Sequence, residues 1–548
     1  MPSNENQIDP IQQLPNSSTV AETIIEQLHL WGVKRIYGVV GDAIFGLLDA
    51  IAKQNKIRFI SVKHESVAAM MASAEAKLTG NIGVCIAQMG PGLANLINGL
   101  GDAYLDKAPV LAITGQSPLK KIGTPYKQLI NQQQLMQAIS GYSELVVHPD
   151  VAVVALAKGI HTAVSMNTVA HLSIPTDLFE HITYAQPHQP VKKKPVFHRP
   201  EQFDETVSIM ESATSPMMMV GNQTRTLNPE IQKLAAHWGS GIVTAYGAIG
   251  MFANDFPFYL GGIGEGGNPN VTPLFKQADV ILAIGTSWWP AGFSPVATKI
   301  IQIQDNEMKI GEGMPTDHGI TGSIRSIITI LNEKLQFHTP NEEWINQICG
   351  CHQMWSLKKE SGNSPSPISP SSIVNAIERN ITKETIIALD EGDSTLWFME
   401  NFKTQCRAIL LSQNWRTMGF GLPAALSAKL TMPENQVICI TGDGGLGMVL
   451  ADLLTATRYK LPITVVVFNN GKLQMEKNKM TFKGLIAEGT DITNPDFAAL
   501  AKACGWEAHI VKDENELEKL LQLAQTKQVP MLLDIQTAQD VYPNYQSE

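Results

Sequence analysis

The chain has 548 residues, of which 44% are hydrophobic and 17% charged, and its formal net charge is −10. This length suits about two to four ordinary folded domains. The negative charge, with no long basic stripe to offset it, excludes a general attraction to nucleic acid, and no stretch is long and apolar enough to span a bilayer.

The N-terminal segment and the cysteines indicate the compartment. Residues 1–18 lack a basic start and an apolar core, and the apolar run that follows carries Glu22 and Glu26, which argues against a signal peptide. Six cysteines are scattered along the chain, several of them in apolar runs, so no disulfide framework is expected. We therefore expect a cytoplasmic protein in a reducing environment.

Two composition breaks rich in Pro, Lys or Ser, at 185–200 and 357–372, are typical of linkers. They separate three expected domains at 17–185, 200–356 and 373–548. Each domain alternates short β-branched runs with helical patterns, which indicates three doubly wound parallel-sheet α/β domains. The predicted strands lie at 35–40, 57–62, 82–87, 109–114, 217–221, 242–246, 280–285, 299–303, 385–390, 437–443 and 463–468.

A glutamate begins a predicted helix in the first domain. Glu65 directly follows a predicted strand in the stretch SVKHESVAAMMASAEAKLTG, residues 61–80. A carboxyl group in a dry site has a raised pKa and can share a proton with a ligand. A glutamate in the first helical turn is also favoured simply by the helix dipole, so the residue alone leaves both interpretations open.

Two features of the middle domain suggest a ligand without requiring one. Trp288 and Trp289 end a predicted strand, where they either stack on a ligand or belong to the core or an interface. Residues 349–352 read CGCH, which is half of a metal site without a second Cys/His pair. We therefore expect no metal at that position.

Polar residues end two successive predicted strands in the third domain. One strand ends at Asp443 in TGDGG, a predicted helix follows at 446–460, and the next strand ends at Asn469 and Asn470 in FNNGK. The carboxyl ends of parallel strands share one edge of the sheet, so these polar ends are expected to converge.

Such oxygen atoms suit a hard cation bound to phosphate. Mg²⁺ takes one or two protein carboxylate or carbonyl ligands and completes its sphere with water and phosphate oxygens. Gly444 and Gly445 allow backbone amides to approach a phosphate at a helix N-terminus. Taken singly, each fragment is equally well a tight turn, and only the βαβ spacing makes a metal-diphosphate site the stronger interpretation.

The GDG and NN motifs on successive strands resemble the thiamine-diphosphate signature of 2-oxo-acid decarboxylases, acetolactate synthases and pyruvate oxidases, and the resemblance extends across nearly the whole chain. It implies that Asp443, the Asn470 side chain and the Lys472 backbone carbonyl hold Mg²⁺. In TMGFGLPAA, Met418 would support the bent coenzyme, although a methionine there also fills core space. The residues that the resemblance assigns to the coenzyme are Asn95, Met418, Gly419, Gly442, Gly444, Gly445, Lys472 and Met475.

The resemblance also gives Glu65 a role, because the family's glutamate in this segment hydrogen-bonds N1′ of the aminopyrimidine and favours the tautomer that activates the coenzyme. The segment 88–116 is similar to the family's GPG segment. In IGTPYKQL, Gln128 matches a glutamine near the reacting carbon, while Lys127 replaces Phe. Tyr126 and Lys127 are thus candidate pocket residues, with a solvated loop charge as the alternative for the lysine.

Two segments, 280–303 and 390–398, look closest to pyruvate oxidases and pyruvate:quinone oxidoreductases, whose middle domain carries FAD. The chain departs from that pattern at Gln223 and in IQIQDNE, residues 301–307. FAD is therefore a possible cofactor of the middle domain. Without flavin, TAYGAIG at 244–250 and YLGGIGEGG at 259–267 are interpreted as structural turns.

The segment LQMEKNKM, residues 473–480, departs furthest from the family, whose corresponding helix lies over the thiazolium. Gln474 stands for Gly, Glu476 for an aliphatic residue and Lys479 for an acid. An i,i+3 charge pair facing the site would favour a larger or polar substrate. The alternative is that both charges reach solvent.

The resemblance implies an enzyme that decarboxylates pyruvate or a related 2-oxo acid and oxidises the intermediate. A flavin-free carboligase of acetolactate-synthase type is the alternative, and a catalytically drifted regulatory subunit is an alternative of another class. Because the family's two cofactor-binding layers meet across subunits, a homodimer or homotetramer is expected. The chain ends at PNYQSE without the lipid-binding helix of quinone-linked relatives, so membrane attachment is not expected.

Overall fold

The computed structural model describes residues 18–191, 200–290, 292–293, 297–336, 341–357 and 367–542. The chain forms two compact units, Met1–Lys192 and Lys193–Glu548. The first unit contains one six-stranded sheet and the second contains two. Strands within each of these sheets are parallel and alternate with helices, so the predicted doubly wound α/β class is confirmed.

The first unit has the strand order β3-β2-β4-β5-β7-β6, with a two-residue antiparallel pair formed by β1 and β8. Its elements are β1 (Ser18–Thr19), α1 (Val20–Leu30), β2 (Arg35–Gly38), α2 (Phe45–Ala52), β3 (Arg58–Ser61), α3 (Glu65–Thr79), β4 (Gly83–Ala87), α4 (Pro91–Leu105), β5 (Val110–Gln116), α5 (Gln132–Met136), β6 (Tyr142–Leu145), α6 (Ala152–Met166), β7 (Val169–Pro175) and β8 (Ile182–Thr183). The four strands predicted here are present, whereas β6 and β7 were not predicted.

Small residues let α3 and α4 pack closely. A Cβ atom on Gly99 of α4 would lie 2.5 Å from the Met70 backbone nitrogen of α3. Near the other end of α3, the Lys77 ammonium pairs with Asp102 at 2.8 Å and with Asp106 at 2.6 Å. This close packing holds the N-terminus of α3, and with it Glu65, in a defined position.

The second unit begins with a sheet ordered β11-β10-β9-β12-β13-β14. Its elements are α7 (Asp204–Glu211), β9 (Pro216–Val220), α8 (Asn228–Trp238), β10 (Gly241–Thr244), β11 (Tyr259–Gly262), α9 (Val271–Gln277), β12 (Val280–Ile284), β13 (Lys299–Gln304), β14 (His318–Thr321), α10 (Ile324–Lys334) and α11 (Glu342–Ser356). The interpretation of YLGG as a turn is wrong, because Tyr259–Gly262 forms buried edge strand β11 beside β10.

The last sheet is ordered β16-β15-β17-β18-β20-β19. Its elements are α12 (Pro370–Arg379), β15 (Ile386–Leu389), α13 (Asp393–Asn401), β16 (Ala408–Leu410), α14 (Gly421–Thr431), β17 (Val437–Gly442), α15 (Asp443–Gly447), α16 (Leu453–Tyr459), β18 (Thr464–Asn469), α17 (Gln474–Phe482), α18 (Phe497–Ala503), β19 (Glu507–Val511), α19 (Glu514–Thr526) and β20 (Met531–Gln536).

Two predictions in this domain are wrong. The continuous helix expected at 446–460 is a short α15, a 3₁₀ turn at Leu450–Asp452 and α16. Three of the five residues of α15 are glycines, whose low helix propensity weakens this segment as the start of a long helix. Residues 370–372 are helical rather than linker, since Ser369 caps α12 by accepting from the Ser372 amide. Residues 192–199, 358–366 and 543–548, which include half of the first expected linker, most of the second and PNYQSE, lie outside the described residues.

Candidate active site

The loops after β17 and β18 converge as their spacing predicts. Gly442 of β17 pairs with Phe468 of β18, so both strands end at the same edge of the sheet. The Asp443 carboxylate is 2% exposed. Its Oδ2 accepts from the Gly471 amide at 2.7 Å and from Asn494 Nδ2 at 2.8 Å, and its Oδ1 accepts from the Gly444 amide at 2.9 Å. Asp443 therefore ties the GDG and NN loops together.

The donor set around Asp443 fits a divalent cation. Burial raises the pKa of the Asp443 carboxyl, although hydrogen bonds from Gly471 and Asn494 act in the opposite direction. A nearby cation would offset that burial cost. Asn470 and Lys472 line the same cavity, and the Lys472 ammonium is paired with Asp491. Carboxylate, amide and carbonyl oxygens on one wall are ligands that Mg²⁺ prefers.

A cavity of about 220 Å³ lies where the strand order of the last sheet reverses, between β15 and β17. Ligands bind parallel α/β sheets at such points. Most of the residues predicted for the coenzyme, metal or substrate in this domain line it: Met418, Gly442, Asp443, Gly444, Gly445, Asn470, Lys472, Met475, Glu476 and Lys479. Gly419 does not line the cavity and instead donates its amide to Asp390 Oδ1 at 2.8 Å.

Asp390, which sequence reasoning did not single out, holds together the segments that surround this cavity. Its carboxylate is 1% exposed and accepts the amides of Glu391, Gly419 and Phe420 and the Thr441 hydroxyl, at 2.7 to 3.1 Å. A Cβ on Gly445 would lie 2.5 Å from Asp390 Oδ2, so this position requires glycine. The sequence signal that could have indicated this residue is that Asp390 ends the predicted strand 385–390, one strand away from the strand that ends at Asp443.

The N-terminus of α13 forms a further wall that the predictions missed. Asp393 and Ser394 line the cavity, and Asp393 Oδ1 and the 4% exposed Ser394 Oγ have no hydrogen-bond partner within the described residues. Burial raises the pKa of Asp393 to about 7, against the opposing effect of a hydrogen bond from Trp397 Nε1. Of these two atoms, the Ser394 hydroxyl can donate to a phosphate-bearing ligand at the helix N-terminus, whereas the Asp393 carboxyl can do so only in its protonated form.

Charged side chains border the mouth of the cavity. Arg416 pairs with Glu265 at 2.6 Å and lies over the Tyr246 ring at 5.4 Å. Burial raises the pKa of Glu391 to about 7, while Arg416 and Lys479 lower it. Glu391 and Lys479 therefore approach each other closely enough for their charges to interact.

Helix α17 supplies the wall for which the sequence left two alternatives. Glu476 and Lys479 are separated by 3.5 Å, and their side chains are 57% and 39% exposed. Both line the cavity and both also reach solvent, so each alternative describes part of the geometry. Gln474, by contrast, is 4% exposed.

In the first unit, Glu65 begins α3 and its Oε2 accepts from Asn95 Nδ2 of α4 at 2.9 Å. Gln128 has a positive φ of 61°, and its Oε1 accepts from Gln88 Nε2 at 2.9 Å. Lys127 is 63% exposed. The structure therefore joins Glu65 with Asn95.

The loop that carries Gln128 is also tied to the start of a neighbouring loop. Lys127 pairs with Asp42 at 3.1 Å, and Asp42 Oδ1 accepts from Gln88 Nε2 at 2.6 Å. Tyr126 is half-buried beside them. Within this unit Lys127 is thus an exposed charge with an acidic partner.

The loops at the crevice of the middle sheet, between the ends of β9 and β12, pack closely on each other. A Cβ on Gly221 would lie 2.2 Å from the Gly285 carbonyl oxygen, and one on Gly285 would lie 3.1 Å from Gln223 Cβ. Gln302 and Gln304 of β13 turn inward and donate to the Thr286 carbonyl at 3.2 and 2.6 Å. Gly221 and Gly285 therefore allow these two loops to meet at this edge of the sheet.

Other middle-domain candidates have structural partners. Trp289 donates to the Phe293 carbonyl at 3.0 Å, and Cys351 is buried in the core. His352 Nδ1 contacts the Tyr259 carbonyl oxygen at 2.7 Å. Across the described ranges, no group of three or more His, Cys, Asp or Glu side chains forms a metal site, and no helix there is long and apolar enough to cross a membrane.

Comparison with known proteins gives three family matches along the chain. They are described as the N-terminal TPP binding domain, the central domain and the C-terminal TPP binding domain of thiamine pyrophosphate enzymes, at residues 18–138, 203–331 and 390–535. Thiamine pyrophosphate is another name for thiamine diphosphate.

Similar whole proteins carry related names. A Bacillus subtilis protein named as thiamine pyrophosphate-containing is 32% identical, over 94% of this chain and 91% of its own length. A pyruvate oxidase of Lactiplantibacillus plantarum is 28% identical, over 93% and 87%. An acetolactate synthase of Mycobacterium bovis is 28% identical, over 96% and 88%.

Proposed function

The chain belongs to the thiamine pyrophosphate enzymes, and from this membership we propose that it decarboxylates pyruvate or a related 2-oxo acid. One observation carries the proposal. A buried aspartate, Asp443, joins the GDG and NN loops at the wall of a cavity that Asp393 and Ser394, at the N-terminus of α13, also line. Bound thiamine diphosphate supplies the electron sink that makes loss of CO2 from a 2-oxo acid feasible.

The residues of the last domain are proposed to bind the coenzyme and its metal. Asp443, Asn470 and the Lys472 carbonyl would hold Mg²⁺. Met418 and Met475 would contact the thiazolium end, and Gly419, through its bond to Asp390, would fix the segment that carries Met418. The glycines at 442, 444 and 445 would let backbone amides reach the diphosphate.

Glu65 is proposed as the proton-handling group of the reaction. Asn95 donates to one of its carboxylate oxygens, which fixes the carboxyl group at the start of α3. Oriented in this way, the carboxyl group would exchange a proton with the coenzyme's pyrimidine nitrogen. We propose a homodimer or homotetramer in which Glu65 serves coenzyme bound by a partner chain, with Gln128, Tyr126 and Lys127 near the substrate.

Two fates of the decarboxylated substrate have support. The similarity to a pyruvate oxidase supports oxidation, which is the leading proposal. The packed crevice around Gly221 and Gly285 favours the alternative, a flavin-free carboligase of acetolactate-synthase type. Both begin with the same decarboxylation.

Native mass spectrometry of the purified protein, followed by a 2-oxo acid screen with thiamine diphosphate and Mg²⁺ supplied, tests the proposal. Release of CO2 from at least one 2-oxo acid is expected. A yellow protein with bound FAD would favour oxidation, and a colourless one that condenses two keto acids would favour carboligation. If no 2-oxo acid released CO2, the catalytic proposal would fail and a regulatory subunit would become the better explanation.

A further inference from the structure

Helix α17 presents a buried amide pair beside the cavity. Gln474 and Asn478 lie one helical turn apart and are 4% and 7% exposed. Gln474 Nε2 donates to Asn478 Oδ1 at 2.7 Å. Gln474 lines the cavity, and Asn478 holds its amide in place.

In each amide of this pair, one polar atom forms no hydrogen bond within the described residues. Gln474 Oε1 and Asn478 Nδ2 have no hydrogen-bond partner in the part of the chain that is described. Rotating both amides would exchange donors and acceptors but would still leave one atom of each unpartnered. Leaving such buried atoms unpaired costs free energy, which a ligand group bonded to Gln474 would recover.

The surrounding charges indicate what kind of group would bind. Each cation that borders the cavity already has an acidic partner: Lys472 pairs with Asp491, Arg416 with Glu265, and Lys479 with Glu476. The cavity is also lined by four carboxylates, those of Glu391, Asp393, Asp443 and Glu476. A second carboxylate on the substrate would find no uncommitted cation among these residues. A neutral hydroxyl group both donates and accepts, so it would pair with the Gln474 amide in either orientation.

We propose that Gln474, oriented by Asn478, selects 2-oxo acids whose acyl chain carries a hydroxyl group. This inference rests on the proposed function, because it takes the α17 wall as the end of the cavity that receives the acyl chain. Gln474 is the specificity residue and Asn478 is a positioning residue. A site built to bond a hydroxyl discriminates strongly against an analogue that lacks one, because its own polar atoms are then left unpaired.

The test compares hydroxypyruvate with 2-oxobutanoate, which carry a hydroxyl or a methyl group on the same carbon atom. With the holoenzyme, kcat/KM for CO2 release is expected to favour hydroxypyruvate by at least about 10-fold. The double variant Gln474→Met, Asn478→Leu should abolish or reverse that preference, and replacing both amides together leaves no orphaned partner. If the double variant does not fold, the single variant Gln474→Met takes its place.

Lys477→Met provides the matched control on the same helix. Lys477 donates to Gln539 at 3.2 Å and does not line the cavity, so the preference should remain. Equal use of the two substrates by the wild type, or an unchanged preference in the double variant, overturns the inference. The proposed function survives either result, since CO2 is still released.

If neither substrate releases CO2, titration calorimetry of hydroxypyruvate into the holoenzyme decides the inference separately. Binding that the double variant weakens by about 10-fold or more supports an amide that bonds the hydroxyl group, even though neither of these two acids is decarboxylated. Absence of binding, or equal binding by the double variant, overturns it.

Discussion

The middle and last domains each contain a doubly wound sheet of six strands, but the side chains at the crevices of the two sheets are arranged differently. At the end of β13, the side chains of Gln302 and Gln304 turn inward and bond the Thr286 carbonyl. In the last domain, Asp393 and Ser394 keep unpaired polar atoms at the wall of an open cavity. The strand order alone therefore marks a place where a ligand can bind, and the packing of the neighbouring loops decides whether a cavity stays open there.

The largest effect on turnover is expected in the first domain, whose Glu65 is proposed to act in proton transfer rather than in holding the coenzyme. Glu65→Gln removes the exchangeable carboxyl proton, so turnover should fall by about 10² to 10⁴-fold. Affinity for thiamine diphosphate, measured by calorimetry, should change little. Glu26→Gln, at a surface acid paired with Lys56, is the control and should stay active. A fully active Glu65→Gln variant would remove this residue from the mechanism.

Asp443→Ala should weaken the binding of thiamine diphosphate in the cavity of the last domain. Loss of the carboxylate removes a proposed metal ligand and the bond between two loops, so affinity for thiamine diphosphate with Mg²⁺ should fall by about 100-fold or more. Calorimetry measures this, with Asp305→Ala as control. Asp305 is 52% exposed in the middle domain, where it pairs with Lys309. Unchanged affinity of Asp443→Ala would contradict the assigned site.

Asp393→Asn should change how the unfolding free energy of the apoprotein depends on pH. Burial raises the pKa of Asp393 to about 7 in the folded state, above its ordinary value of 3.8. The folded state thus retains a proton that the unfolded state releases, and stability falls as pH rises between those values. From about pH 5 to about pH 8 the wild type should lose more stability than the variant.

Denaturant unfolding at several pH values measures this difference. Glu488→Gln, at an exposed position of the same domain, should keep the wild-type pH profile. Parallel profiles for the wild type and Asp393→Asn would show that Asp393 carries no buried proton.

Gln304→Leu in the middle domain should have the smallest effect. The substitution loses the bond to the Thr286 carbonyl but also removes Gln304 Oε1, a buried atom with no partner among the described residues. These changes oppose each other, so stability should change by about 1 kcal/mol or less and turnover should be unaffected. A large loss of turnover would mean that the middle crevice takes part in catalysis, which would break the comparison.

The strand pattern and the convergence of Asp443 with the NN loop were predictable because both follow from local hydrophobic runs and parallel-sheet geometry. The edge strand Tyr259–Gly262 was missed because its glycines indicate a turn, whereas pairing with β10 and burial stabilise a strand. In the sequence Asp390 is visible only as an acid that ends a predicted strand, and Gln474 and Asn478 only as two amides four residues apart. Their roles depend on which backbone amides and side chains the fold brings to them.

The four hydrogen bonds to Asp390 have a consequence for the kinetics of coenzyme capture. They bind the loop after β15, the segment at 419–420 and the end of β17 to one buried carboxylate. Because these three segments are already held together before the coenzyme binds, they lose little conformational entropy on association. Coenzyme uptake should therefore follow a single bimolecular phase, without a slow folding step of the surrounding loops.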